Sequence, residues 1–200
     1  MVRVHDSAFG AIEPHPGPDR AHHHGTEWPR TRFAHFRHNL NKPWVPSMYG
    51  GTNDITAIAE TMLRGRDSSP ADRPVHIRWG QWDGHMISTI APSRPLQLVA
   101  VVDPSLIATD RTTYPTTVAA AAALHAAHPD ADGLIWTSRQ HPDSEACLLW
   151  VDEPATGLRV TRTDLTVLRQ PIPVTGEEGQ QRVLTAAEHL DLMVVARSGP

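Results

Sequence analysis

The stretch VPSMYGGTNDITAIAETMLRG, residues 45–65, restricts the fold of this chain more than any other segment. A strand-like run passes through a pair of glycines into a helix. Ile55, Ile58, Ala59, Met62 and Leu63 follow the i, i+3, i+4, i+7, i+8 spacing of a buried stripe. Asn53 or Asp54 can cap the start of this helix, and Gly65 can end it. Glu60 sits at the flank of the stripe, where a side chain can leave the core for a cleft or remain solvated. Tyr49 stands at the turn just before the glycines.

Around this unit the pattern is mostly strand. TRFAHF (31–36) and WVPSMY (44–49) read as short aromatic-rich strands separated by a loop. MISTIA (86–91) and LQLVAVV (96–102) follow as strands, and the alanine-rich TTVAAAAALHAAHPD (116–130) as a helix capped by Thr116 or Thr117 and limited by Pro129. GLIWTS (133–138) and ACLLWV (146–151), with the polar RQHPDSE between them, predict an antiparallel pair. DLTVLRQPI (164–172) is a further candidate strand, and residues 177–195 a terminal helix packed on its own sheet. Strands with inserted helices, without regular alternation, indicate an α+β fold with mixed, largely antiparallel sheets.

A chain of 200 residues can bury a substantial core, so one domain is expected. Residues 13–30 mix proline, histidine and glycine without periodicity, which predicts a flexible N-terminal arm over 1–30 and a single domain over 31–200. With 18 basic and 22 acidic residues the net charge is −4, without the basic excess that accompanies nucleic-acid or anionic-membrane binding. Cys147 is the single cysteine, in an apolar run that suits a buried reduced thiol. The apolar runs fall short of the ~18 to 20 residues a membrane-spanning helix needs. Residues 1–17 carry no secretory-type apolar core, and a cytoplasmic protein is expected.

The chemistry-bearing patterns are sparse. His22, His23 and His24 are adjacent, but neighbouring side chains in an extended loop diverge, and no cysteine pair or HExxH spacing supports a metal site. Ser138 lies in IWTSRQ, not in a GxSxG nucleophile elbow. Neither GxGxxG after a strand nor GxxxxGK[ST] occurs. Glu60 has no second acid near it to form a glycosidase pair. Taken singly, Arg32, Tyr49, Glu60 and Ser138 could each be structural.

In combination they carry a resemblance. RFAHF, then MYGGTNDITAIAET, and later GLIWTSRQHPDSEACLLW resemble the three blocks of the RES domain, the toxin component of Xre-RES toxin–antitoxin pairs. The resemblance covers roughly residues 30–152. Arg32, Glu60 and Ser138 match the arginine, glutamate and serine that name the family, and Tyr49 matches the tyrosine before the helix. Arg32 is selected by its pairing with Phe33, and Arg30 and Arg37 remain alternatives.

The resemblance implies an ADP-ribosyltransferase-like fold and an enzyme that degrades NAD at the nicotinamide–ribose bond, by phosphorolysis or hydrolysis. NAD would be the substrate, inorganic phosphate a possible co-substrate, and no cofactor or metal is expected. The implied partner is a cognate Xre-type antitoxin, with no direct nucleic-acid or membrane contact. Glu60 would place negative charge beside an oxocarbenium-like ribose and bond its 2′-hydroxyl. Tyr49 would hold the pyridinium, Arg32 the diphosphate, and Ser138 a phosphate oxygen or the incoming acceptor. Transfer of ADP-ribose to a protein target, and a non-catalytic ligand-binding module, are the competing readings.

Overall fold

The computed structural model describes residues 1–17, 31–37, 41–63, 74–108, 113–151 and 159–197. The α+β expectation holds. The main sheet contains β1 (Val2–Asp6), β2 (Ser47–Gly51), β4 (His85–Pro92), β5 (Leu98–Ala100), β6 (Gly133–Thr137), β7 (Glu145–Trp150), β8 (Leu165–Val167) and β9 (Ile172–Pro173). Its order is β5-β6-β7-β2-β1-β4-β8, with β9 also on β4. Every pairing in it is antiparallel except β5 with β6. A separate parallel pair joins β3 (Val75–Arg78) to β10 (Val194–Arg197).

The helices are α1 (Asp54–Thr61), α2 (Pro104–Ile107), α3 (Tyr114–Ala127) and α4 (Glu177–His189). None of the described helices is long and apolar enough to cross a membrane. In α1, Asn53 is the cap, accepting from the Thr56 N–H at 2.9 Å. The expected terminator, Gly65, lies outside the described residues. Ile58, Met62 and Leu63 enter a core with Val2 and Val4 of β1 and Val183, Ala186 and Ala187 of α4, and Ile55 packs against it. Burial of a Leu, Ile or Met side chain is worth ~1.5–3 kcal/mol, so this apolar face anchors α1 between sheet and α4. Gly51 permits the approach at the other end. A Cβ there would fall 2.6 Å from the Ala57 nitrogen and 2.8 Å from Thr56 Cβ.

Several expectations are corrected. Residues 2–6, assigned from sequence to an arm, form β1, which lies between β2 and β4. Val2 and Val4 face the α1–α4 core, while Arg3 and His5 are buried on the other side of the sheet. Arg3 donates to the carbonyls of Ala11 and Glu13 at 3.0 and 2.7 Å. Alternating charged residues in so short a run look like solvent exposure until these partners are known. Residues 31–36 are not a strand. Arg32, Phe33, Ala34, His35 and Phe36 are all buried, whereas a strand alternates its two faces.

Other elements shift at their ends. The strand expected at 44–49 runs instead from Ser47 to Gly51. Only 98–100 of the expected 96–102 strand pairs, and Val102 is 81 % exposed before Asp103 caps α2. The segment 164–172 divides into β8 and β9, and the terminal helix ends at His189, so Val194 and Val195 belong to β10. α3 begins earlier than expected, at Tyr114 with Pro115 in its first turn, which leaves Thr117 inside the helix.

Candidate active site

β2 feeds α1 and pairs antiparallel with β7, which pairs with β6. The β6–β7 loop is therefore brought beside α1. The loop is closed by the Ser138 N–H donating to Ser144 O (2.9 Å) and the Ser144 N–H donating to His141 O (3.0 Å). Four side-chain contacts join it to the helix and to the two residues just before it. Ser144 Oγ lies 2.6 Å from Thr52 Oγ1 and accepts from Asn53 Nδ2 at 2.9 Å. Thr56 Oγ1 and His141 Nδ1 are 2.8 Å apart. Ser138 Oγ donates to Glu60 Oε1 at 2.8 Å. Asn53, Thr56 and Glu60 stand at i, i+3 and i+7, one polar face of α1 beside its apolar one.

The second oxygen of Glu60 faces Arg32, with Nη1 3.9 Å from Oε2. The Arg32 side chain is 2 % exposed and that of Glu60 9 %. Segment 31–37 holds its buried position through its backbone: Thr117 Oγ1 donates to Arg32 O, and the Phe33 N–H donates to Tyr49 Oη at 2.6 Å. Phe33 also packs edge-on against Trp136 of β6, with ring centroids 4.9 Å apart. Tyr49 meets the same tryptophan at 5.9 Å.

Of the four residues singled out in the sequence, Ser138 bonds Glu60 and Arg32 faces its second oxygen. Arg32, Glu60 and Ser138 come from an irregular segment, a helix and the end of a strand, and meet at one carboxylate. Tyr49 is joined to them through Phe33, its hydroxyl fixing the segment that carries Arg32. Arg37 lies elsewhere, its guanidinium 4.8 Å from the ring centroid of Trp44. Arg30 and His22–His24 lie outside the described residues. Among the described residues no three His, Cys, Asp or Glu side chains gather as a metal site. A groove of about 340 Å³ opens at β5 and the end of α3, lined by Gln97, Leu98, His128 and Asp130 among others. None of the four residues lines it.

Sequence reasoning missed Thr56, Thr117, His141 and Ser144. The polar repeat 53, 56, 60 on α1 was a usable signal for Thr56. Nothing local marked His141 or Ser144, because their partners are 85 and 91 residues away.

A model of the RES domain matches residues 4–170. This chain belongs to the RES domain family. No curated protein and no solved structure matches it. The matched RES domain begins inside β1 and contains Arg32, Tyr49, Glu60 and Ser138. α4 lies beyond the matched range, yet it backs α1: Arg182 bonds Asp54 at the start of that helix and Glu178 on its own at 2.8 Å. Residues outside the RES match therefore help to seat the helix that presents Glu60.

Proposed function

We propose that this RES-domain protein cleaves the nicotinamide–ribose bond of NAD, with inorganic phosphate or water as acceptor. The observation that carries the reading is the convergence on Glu60, whose carboxylate is 2.8 Å from Ser138 Oγ and 3.9 Å from Arg32 Nη1. A glycosyl transfer of this kind needs little acid catalysis, since nicotinamide leaves as a neutral molecule from a cationic pyridinium. It needs negative charge held beside the sugar as the C1′–N bond breaks and its electron pair goes to the ring nitrogen. Glu60 supplies that charge. An acceptor oxygen then bonds C1′ and gives its proton to solvent or to a carboxylate.

In this reading Ser138 orients the carboxylate. Its hydroxyl hydrogen points at Glu60, and its oxygen accepts the His141 N–H at 3.1 Å, so the pair approaches the sugar in one arrangement. Arg32 offers a planar donor set for diphosphate oxygens. Tyr49 holds the Arg32 segment and presents a ring for the pyridinium. A cognate Xre-type antitoxin would restrain the activity by covering Glu60.

The test is incubation of the purified chain with NAD and phosphate, followed by separation of the products. Free nicotinamide with ADP-ribose 1″-phosphate indicates phosphorolysis, and with ADP-ribose, hydrolysis. ADP-ribose attached to protein would reassign the acceptor. A folded protein that releases no nicotinamide from NAD overturns the reading.

A further inference from the structure

His141 is buried in the β6–β7 loop and touches the site twice by different groups. Its main-chain N–H donates to Ser138 Oγ at 3.1 Å. That bond occupies a lone pair of the hydroxyl and directs its hydrogen to Glu60 Oε1. Its imidazole Nδ1 lies 2.8 Å from Thr56 Oγ1, one helical turn before Glu60 on the same face of α1. In either tautomer a single hydrogen is shared across that contact. His189 at the end of α4 packs edge-on against the ring, with centroids 5.2 Å apart. Thr56 is fully buried, so water does not replace its bond to the ring.

Two bonds of nearly equal length thus tie one loop to one helix at positions i and i+4. Ser144 pins the far side of the loop to Thr52 and Asn53 at the start of α1, so loss of the His141–Thr56 bond loosens the stretch between, where the His141 N–H holds the Ser138 hydroxyl. We infer that His141 is a positioning residue, which locks the β6–β7 loop onto α1 through Thr56 and thereby keeps the Ser138 hydroxyl committed to Glu60. The kinetic part of its test rests on the NAD-cleaving reading, and the exchange part does not.

Full-length wild type, His141→Ala, His141→Asn and Thr56→Val are compared for nicotinamide release over a range of NAD concentrations. A misplacement of about 1 Å at a reacting centre costs on the order of a hundredfold, so His141→Ala is expected to lower kcat by about ten- to a hundredfold with KM for NAD within about twofold. His141→Asn, whose amide occupies the place of Nδ1, restores most of it. Thr56→Val reproduces the loss, and His141→Ala adds nothing in a Ser138→Ala background. General destabilisation would instead add in that background. Undiminished kcat in His141→Ala overturns the inference.

Amide hydrogen exchange over 138–144 is read on the same proteins. Protection is expected to fall in His141→Ala and Thr56→Val and to hold in His141→Asn. Should the wild type release no nicotinamide, the function proposed above fails, and this measurement alone decides the positioning role: equal protection in all four proteins rejects it. If His141→Ala does not fold, Thr56→Val reports on the same bond.

Discussion

Strand β6 is bounded by two arginine–carboxylate pairs, and they are built differently. At its start Asp132 is gripped by Arg94 through two bonds, of 2.8 and 2.7 Å, and accepts the Gln97 N–H at 2.9 Å. At its end the Ser138 hydroxyl reaches Glu60, which makes one short bond among the described residues, while Arg32 stands off at 3.9 Å. The first carboxylate is saturated and joins the β4–β5 connection to β6. The second keeps acceptor capacity on Oε2 in a nearly dry setting, where an added ligand group meets little competition from water. Bidentate geometry marks a pair that holds structure together, and a loose pair with a directed hydroxyl suits binding and chemistry.

The sharpest way to break this comparison is to neutralise each acid in turn. Glu60→Gln keeps an acceptor for Ser138 but removes the charge, and nicotinamide release is expected to fall by about 10²- to 10³-fold, the range for losing one preorganised electrostatic group. Asp132→Asn is expected to leave release per folded molecule unchanged. It should instead cost about 2 kcal/mol in urea unfolding, below the loss for a fully buried pair because Arg94 is 37 % exposed. Equal activity losses in both variants would erase the distinction.

Acid unfolding sharpens it further. Burial works to raise the Asp132 carboxyl, but the Arg94 bonds and the Gln97 N–H outweigh it and hold the group below the ordinary carboxylate value. A group lowered in the folded state contributes fully above its unfolded pKa of about 4. That contribution disappears as pH falls through the lowered value. Denaturation measured between pH 2 and 7 should therefore show a steep acid limb in wild type and a flatter one in Asp132→Asn.

The smallest effect concerns a group that takes no part in either pair. Cys147 is buried on β7 and free, its thiol pushed up to about 11 by burial. At pH 8 about one thiol in a thousand is ionised on that basis, so alkylation of the native protein should be slow and should accelerate only on unfolding. Rapid native labelling would show that β7 opens locally beside the site.

Short-range patterns in the chain were legible. The apolar stripe of α1, its asparagine cap and the β6–β7 hairpin follow from spacing and capping that operate within about ten residues. The RES blocks were legible for the same reason, since each is a continuous run of neighbouring residues. Segment 31–36 was misread because its aromatic content matches a strand, whereas burial on every side is set by Trp136, Thr117 and Tyr49, all distant in sequence.

By itself, then, the sequence determined which segments could be helix or strand and which four side chains were candidates. The tertiary structure alone decided that β1 enters the sheet, that Ser138 and Arg32 meet at Glu60, and that His141 and Thr56 secure the loop. The Ser138–Glu60 and Thr56–His141 contacts join partners 78 and 85 residues apart, where no periodicity reaches. These two contacts form because β2 pairs with β7 and so carries the hairpin loop against the helix.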